Sequence, residues 1–274
     1  MKEYAVQAVN VTKKFNNIPI LQDLSFEIHK NTKLAILGHN GSGKSSLLKL
    51  IAGIYVPTSG KLNKHGKKIG YVPEHFPDNI RFRLREYLML MGTIGGQDRQ
   101  EIRKKIDYYI DLFQLQPHAG TMLKDCSKGT KQKAGIIQAM LDDCDILLLD
   151  EPLTGLDDES KKAFLDMIRQ IERDFALIFT AHEQETVELL AEEVMVLENG
   201  TIIKHEAITE KIKMKCIVAR LSKRLNREEL KMYGSITGET GNKVELIVTA
   251  RNSDDCLLYL LENGCSIIEV KEKI

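Results

Sequence analysis

The chain has 274 residues, 43% of them hydrophobic, which allows one large domain or an ordinary domain with a small companion. Lysine plus arginine and aspartate plus glutamate both number 39, so the net charge gives no signal for nucleic acid. Five cysteines without Cys-x-x-Cys spacing argue against a disulfide framework and a structural zinc site. A charged start and the lack of any run of ~18 apolar residues predict neither a signal sequence nor a membrane span. We therefore expect a protein that is soluble alone, or that reaches a membrane only through a partner.

Residues 4–30 have the pattern of antiparallel strands. Residues 23–28 alternate between polar and apolar side chains with a period of two, as expected for a strand with one buried face. Asn16 and Asn17, followed by Ile18 and Pro19, supply a turn between two strands. The chain is thus predicted to begin with an antiparallel β region.

The next segment, residues 38–45, fits the phosphate-binding pattern Gly-x4-Gly-Lys-Ser/Thr. Its glycines allow a tight loop whose N–H groups point at phosphates, Lys44 can reach the β- and γ-phosphates, and Ser45 offers a hard oxygen for Mg2+. Residues 33–37 read as a buried strand and residues 46–52 as a helix, whose positive end would face the anion. The predicted ATP-binding residues are Gly38, His39, Asn40, Gly41, Ser42, Gly43, Lys44, Ser45 and Ser46.

From about residue 80 to residue 141 the pattern becomes helical. Residues 101–113 place apolar side chains at helical spacing, which indicates core packing: Ile102, Ile106, Tyr109, Ile110 and Phe113. Ser127 precedes a second predicted helix, Lys131 to Leu141, whose start is suited to an anion.

A continuous apolar run, residues 146–149, ends in two acids, Asp150 and Glu151. Such a run is typical of a strand buried on both faces, and its end lies at the sheet edge where α/β proteins bind ligands. Asp150 can hold Mg2+ there, and Glu151 can orient and deprotonate a water beside the γ-phosphate.

The following residues alternate between helices and strands. Asp157 and its neighbours have the composition of a helix start, residues 176–180 form a strand, residues 183–193 a helix and residues 194–197 a strand. Asn199-Gly200 is a hairpin signal. This order predicts a parallel sheet with helices on its faces.

The character of the chain changes near residue 207. The remainder reads as strand, helix, strand pair, helix and strand, which is typical of a small α/β appendage. Its first part is basic, and a solvated face explains this more simply than an anionic membrane or partner contact does.

Several motifs follow one another in an order that resembles the ATP-binding subunit of ABC transporters. The resemblance covers residues 4 to about 206, and the motifs are residues 38–45, 71–74, 126–133, 150–152, 154–157 and 180–182. It implies an α/β fold of the P-loop NTPase (RecA-like) type. The parallel core would carry an N-terminal antiparallel β subdomain and an inserted helical subdomain, about residues 79–141. We expect a cassette at residues 1–206 and an accessory α/β domain at residues 207–274.

The resemblance also implies a role for each matching residue. The adenine would stack on Phe15, Glu151 would be the general base, and His182 would contact the γ-phosphate. Asp157 would lie in a loop that contacts a second subunit. The Mg2+ ligands would be Ser45, Glu74 and Asp150, and the signature that binds the opposite subunit's ATP would be Ser127, Lys128 and Gly129.

Two positions depart from the family pattern. Glu74 stands where glutamine is usual, and a carboxylate binds Mg2+ more strongly than an amide while adding negative charge near the γ-phosphate. Residues 126–130 read Cys-Ser-Lys-Gly-Thr in place of the commoner Leu-Ser-Gly-Gly-Gln. Because Ser-Lys-Gly signatures occur in exporter-type branches of the family, this departure favours export and the drug- or bacteriocin-like branch.

The expected partners are a second ATP-binding subunit, identical or not, and a separate transmembrane permease. They would place the chain at the cytoplasmic face of the membrane, with ATP and Mg2+ as cofactors and no nucleic acid. The alternative is a soluble ABC-type ATPase acting on ribosomes or DNA, although such proteins usually carry two cassettes or a long coiled coil. A GTPase is disfavoured because Asn63-Lys64-His65-Gly66 lacks the aspartate of the guanine motif.

Overall fold

The computed structural model describes residues 3–65, 68–171, 175–181, 184–208, 214–222, 225, 227–230 and 232–273. The chain divides into two compact units, Met1–Ile208 and Thr209–Ile274.

The first unit carries nine strands and six helices in its described residues. In chain order they are β1 (Tyr4–Phe15), β2 (Ile18–His29), β3 (Lys33–Leu37), α1 (Lys44–Ala52), β4 (Ser59–Lys64), β5 (Ile69–Val72), α2 (Leu84–Ile94), α3 (Arg99–Leu112), α4 (Lys128–Leu141), β6 (Ile146–Leu149), α5 (Asp158–Gln170), β7 (Ala176–Thr180), α6 (Gln184–Leu190), β8 (Glu193–Glu198) and β9 (Thr201–Ala207).

The central sheet has six strands in the order β5-β6-β7-β3-β8-β9. The first five run parallel, and β9 pairs antiparallel to β8 through the hairpin at Asn199-Gly200. A separate antiparallel sheet has the order β2-β1-β4. Asn16 and Asn17 both adopt positive φ in the β1–β2 turn, as their short polar side chains permit. The α/β fold with its N-terminal antiparallel region is confirmed.

The central sheet is buried on both faces, as the apolar runs predicted. Leu147 and Leu149 belong to a core formed with α2, α3, α4 and α5, whereas Ile146 and Leu148 belong to a second core formed with α1 and the β1–β2 sheet. Since side chains alternate along a strand, one uninterrupted apolar run fills both cores. Because the parallel strands β3, β5, β6 and β7 end at the same edge of the sheet, the residues that follow them lie together at that edge.

Several helix boundaries differ from their predicted positions; the helix expected at residue 46, for example, begins at Lys44. The helix expected at Lys131 starts at Lys128, because the Ser127 side chain accepts a hydrogen bond from the Thr130 N–H and caps the first turn. The helix expected to reach Glu193 ends at Leu190. It stops there because the Glu192 N–H donates to the Lys33 carbonyl at 2.7 Å and Glu193 already pairs with Leu34 in the sheet.

The second unit follows the predicted order of elements. These are β10 (Met214–Arg220), α7 (Arg227–Leu230), β11 (Gly234–Thr240), β12 (Lys243–Thr249), α8 (Ala250–Glu262) and β13 (Ser266–Lys273). The four strands form an antiparallel sheet in the order β11-β12-β10-β13. Its own core includes Ile217, Leu246, Val248 and Leu260, so this unit buries apolar side chains of its own.

Candidate functional site

The loop of residues 38–45 connects β3 to α1. Gly41 and Gly43 adopt positive φ of 80° and 107°, conformations that favour glycine, so the loop turns sharply before the helix. The N-cap of α1 is Gly43, which has no side chain that could accept a hydrogen bond from the first N–H groups of the helix. The first turn of α1, all of it described, carries no acidic residue. The N–H groups and positive end of α1 are therefore available to an anion.

Lys44 is held inside this loop. Its side chain is buried, and Nζ donates to the carbonyl oxygens of Gly38 at 2.7 Å and His39 at 3.2 Å. A buried ammonium ion is costly without anionic partners, and carbonyl oxygens compensate it only in part. Lys44 is thus positioned to exchange these contacts for phosphate oxygens.

Asp150 lies at the end of β6 and is only 2% exposed. Thr180 Oγ1, at the end of the neighbouring strand β7, donates to Asp150 Oδ1 at 2.9 Å and accepts from the Glu151 N–H at 2.8 Å. Burial raises the pKa of Asp150, and hydrogen bonds from Ser45 and Thr180 offset part of that rise. A carboxylate, two hydroxyls and the end of the phosphate loop therefore meet at one point.

This set of hard oxygen donors fits Mg2+. Within the described part of the chain, no group of three His, Cys, Asp or Glu side chains is arranged to hold a metal ion by itself. Ser45 and Asp150 supply too few ligands for a six-coordinate ion, so phosphate oxygens and waters would have to complete its shell.

Glu151 follows Asp150 in a conformation that is uncommon for a residue with a side chain. Its φ is 51°, and its N–H is fixed by the Thr180 hydroxyl. Such backbone conformations persist only where the surroundings impose them, and they cluster at functional sites. The backbone that carries the predicted general base is thus held in place by the same threonine that contacts Asp150.

Glu74 lies just after β5, the strand that pairs with β6. Its side chain is 46% exposed, and Oε1 is 3.5 Å from Nδ1 of His75. The pKa of Asp150 is raised first by burial and further by the negative charge of Glu74. The charge of Glu74 therefore acts on Asp150, the other acid proposed as a Mg2+ ligand.

The predicted signature begins α4. Ser127 Oγ accepts from the Thr130 N–H at 3.1 Å, and both Ser127 and Lys128 are exposed. A β-carbon on Gly129 would lie 2.6 Å from the Gly155 carbonyl oxygen, so this position has no room for a larger residue. Among the hydrogen bonds of the described residues, none joins the signature to the phosphate loop. One chain therefore carries both predicted phosphate-binding features without joining them.

Asp157 caps the start of α5. Its carboxylate accepts from the N–H and the hydroxyl of Ser160, both at 2.8 Å, and lies 3.1 Å from Lys133 Nζ. These contacts, the Ser160 N–H first, hold the pKa of Asp157 well below its usual range.

Phe15, at the end of β1, is 41% exposed. Its ring meets Tyr55 edge-on at 5.0 Å between centroids, and Lys13 Nζ lies 4.8 Å from the ring centroid. A ring that is partly exposed and contacts Tyr55 is more consistent with the predicted stacking on adenine than with a place in the core. His182 lies outside the described residues.

Sequence reasoning gave no role to Thr180, Lys131 or Asp78. Thr180 had a detectable signal, because it is a polar residue ending an apolar strand beside the Asp150 strand. Lys131 and Asp78 are paired at 2.7 Å although they lie 53 residues apart in the sequence, so no local pattern could reveal their contact.

The comparisons with known proteins agree with this geometry. A family model described as "ABC transporter" matches residues 21–154. An uncharacterized ABC transporter ATP-binding protein of Methanocaldococcus jannaschii is 31% identical over 75% of this chain and 78% of its own length.

Other relatives differ in what their names describe. A Nod factor export ATP-binding protein of Rhizobium meliloti is 30% identical over 76% of this chain and 67% of its own length. A sulfate/thiosulfate import ATP-binding protein of Escherichia coli is also 30% identical, over 74% of this chain and 60% of its own length.

Among solved structures, a dimeric ATP-binding cassette in a post-hydrolysis state, bound to ADP and Pi, superposes with a TM-score of 0.67. It is 22% identical and covers 75% of this chain and 99% of its own length, so it supports the fold. Within the described residues, no helix has the length and apolar character needed to cross a membrane. The family match, the cassette fold and the phosphate loop with its acidic strand end lead to one conclusion: the chain belongs to the family of ABC transporter ATP-binding proteins, whose members bind and hydrolyse ATP.

Proposed function

We propose that this chain works in a dimer of ATP-binding subunits that closes around ATP and so powers a transmembrane permease. The observation that carries the proposal is the contrast within one chain. A buried half-site contains Lys44 and Asp150, whereas the start of α4 is exposed and no hydrogen bond of the described residues joins it to the phosphate loop. A second ATP-binding subunit would supply the missing α4 to each half-site, and the dimeric cassette structure supports this arrangement.

In this mechanism each residue has a defined task. Lys44 and the N–H groups at the start of α1 bind the phosphates, while Phe15 stacks on the adenine. Glu151 accepts a proton from the attacking water, and Ser127, Lys128 and Gly129 of the opposite subunit face the γ-phosphate. We retain His182 as a γ-phosphate contact and Asp157 as a dimer contact.

Mg2+ fits the oxygens of Ser45 and Asp150, with Glu74 as the third proposed ligand. When bound, this ion would neutralise phosphate charge and orient the γ-phosphate. Thr180 keeps Asp150 in place for this task, because its hydroxyl donates directly to the carboxylate.

Export is the proposed direction, and the permease would hold the chain at the cytoplasmic face of the membrane. The Ser-Lys-Gly signature and the Nod factor export relative support export, while the sulfate importer is equally similar. Residues 80–141 would receive the permease beside Glu74. We take residues 207–274 as a separate accessory domain with a dimer-stabilising or regulatory role.

The test begins with a tagged chain purified from detergent-solubilised membranes of its own host. We expect a permease to co-purify, whereas recovery only with ribosomes or DNA would contradict the transporter assignment. The purified pair is then placed in vesicles with the ATP-binding subunits outside. Movement of substrate into the vesicles on addition of ATP would agree with export, and movement outward would contradict it. A pair carrying Glu151→Gln serves as the control without turnover.

A further inference from the structure

The loop that carries Glu74 is fastened to α4, the helix that begins with the signature. Asp78 accepts a hydrogen bond from Lys131 Nζ at 2.7 Å, and Lys131 lies in the first turns of α4. Two residues before Asp78, Phe76 is buried against the same helix, where a β-carbon on Gly135 would come within 2.9 Å of its ring. Phe76 also meets Tyr87 of α2 edge-on, with the ring centroids 5.7 Å apart. The Glu74 loop and α4 therefore share an apolar contact and an ion pair.

The two partners of this ion pair differ sharply in exposure. The Lys131 side chain is 11% exposed, whereas the Asp78 side chain is 83% exposed. The hydrogen bond and charge of Lys131 hold the pKa of Asp78 below its usual value. A buried ammonium depends on its partner, while an exposed carboxylate is well hydrated without one. The pair thus serves to place Lys131, and with it α4, against the loop.

The same helix is also fastened to the loop that follows the acidic strand end. Lys133 Nζ lies 3.1 Å from Asp157 Oδ2, and its side chain is 12% exposed. Gln132 Nε2 donates to the Pro152 carbonyl at 3.4 Å, and Gly129 packs on the Gly155 carbonyl. The start of α4 is therefore joined to both loops that carry acids of its own chain's site.

We propose that Lys131 is a positioning residue that ties the Glu74 loop to α4, so that nucleotide bound at a chain's own site sets the position of the signature it presents to its partner. The inference rests on the proposed function, because α4 is taken to complete the opposite site. It predicts that breaking the Lys131–Asp78 pair weakens ATP-driven dimer formation and the cooperativity of hydrolysis. The affinity of the single chain for ATP is expected to stay the same, since neither residue belongs to the phosphate loop.

The experiment uses the full chain in a Glu151→Gln background, which is expected to accumulate the dimer. Light scattering measures the ATP concentration that gives half-maximal dimer, and a fluorescent ATP analogue measures binding to the single chain without Mg2+. Lys131→Gln should raise the ATP concentration for dimerisation by about three- to fivefold. Asp78→Asn should have the larger effect, because it leaves the buried ammonium without its carboxylate. Lys104→Gln, at an exposed lysine of α3, is the matched control and should leave the value unchanged.

Three further variants separate positioning from a general loss of structure. Lys131→Arg keeps the charge and should restore dimerisation, and the exchange of charges in Lys131→Glu with Asp78→Lys should recover part of it. Asp78→Asn combined with Lys131→Gln should be no worse than Asp78→Asn alone, because the two residues act through one contact.

Unchanged dimerisation in both single variants, with an unchanged Hill coefficient for hydrolysis when the same substitutions are made in the chain that keeps Glu151, would overturn the inference. An equal loss of dimerisation in Lys104→Gln would overturn it as well. If the Glu151→Gln parent binds ATP but never dimerises, the proposed function fails, and this inference fails with it. A parent that dimerises normally while the Lys131 and Asp78 variants match it leaves the proposed function intact and rejects this inference alone.

Discussion

Two helix starts in this chain are suited to binding an anion, and they differ in how many residues of the same chain complete the binding site. The start of α1 follows a glycine loop, has no side-chain cap and encloses the buried Lys44. The start of α4 is capped by its own Ser127, and Lys128 beside it is exposed. Both helices offer free N–H groups and a positive end. The start of α1, however, adjoins the buried Lys44 and Asp150 of its own chain, whereas the start of α4 is exposed.

In the proposed dimer, this difference means that one chain suffices to bind ATP while two are needed to hydrolyse it. Lys44 follows β3 and Asp150 follows β6, and only β7 lies between these two parallel strands, so the folding of one chain brings both residues to the same edge of the sheet. The start of α4 contacts the loops after β5 and β6 of its own chain, and in the proposed dimer its anion comes from the second subunit.

Glu151→Gln should have the largest effect and should separate binding from turnover. We expect ATP turnover to fall by about 10²- to 10⁴-fold, the range for loss of a general base, while ATP binding at α1 persists. Trapping of a dimer on ATP, measured by size-exclusion chromatography, would show that the α4 start engages bound ATP without hydrolysis. A variant that hydrolyses ATP at the parent rate would remove Glu151 from the base role.

Lys44→Ala should disable the α1 end itself. Loss of this buried cation is expected to weaken ATP binding by about 30- to 1000-fold, because the phosphates lose their main charged partner. Calorimetric titration with ATP measures the change, and Lys61→Ala, at an exposed lysine of β4, is the control. Normal affinity in Lys44→Ala would contradict the assignment of the phosphate loop.

The motifs of the site could be predicted from the sequence, whereas the contacts that hold them in place could not. Residues 38–45 and the run ending at Asp150 are local patterns, since each function follows from neighbours along the chain. The contacts that support them are not local: Thr180 reaches Asp150 across the sheet, 30 residues away, and Lys131 reaches Asp78 across 53. The fold class could be predicted because it follows from local patterns of strands and helices. The end of α6 was misplaced because a contact between Glu192 and the distant Lys33 decides it.

Gly129→Ala should disable the α4 end and leave the α1 end intact. The added methyl would lie 2.6 Å from the Gly155 carbonyl, so the start of α4 must move away from the loop behind Glu151. Such overpacking costs about 1–3 kcal/mol, and we expect ATPase activity to fall by about tenfold. ATP affinity of the single chain should stay within twofold of the parent, about the error of the titration. Gly120→Ala, where a methyl would come no closer than 3.8 Å to Arg83 Nη1, controls for the loss of a glycine. Equal loss of ATP affinity and activity in Gly129→Ala would mean that the two ends are not separable.

Glu74→Gln should have the smallest effect and bears on how complete the α1 end is. The side chain is half exposed, so its charge acts on Asp150 through solvent-screened space. We expect the Mg2+ concentration for half-maximal hydrolysis to rise by about two- to fivefold, because an amide oxygen is a weaker ligand than a carboxylate. The negative charge of Glu74 raises the pKa of Asp150, so its removal lowers that pKa and favours the ionised Asp150 carboxylate. This change strengthens Mg2+ binding by Asp150 and opposes the weaker binding by residue 74. Titrating Mg2+ at saturating ATP, with Glu101→Gln on the exposed face of α3 as control, separates these two effects. If hydrolysis and its Mg2+ dependence are both unchanged, the carboxylate of Glu74 is incidental and the α1 end is complete with Ser45 and Asp150 alone.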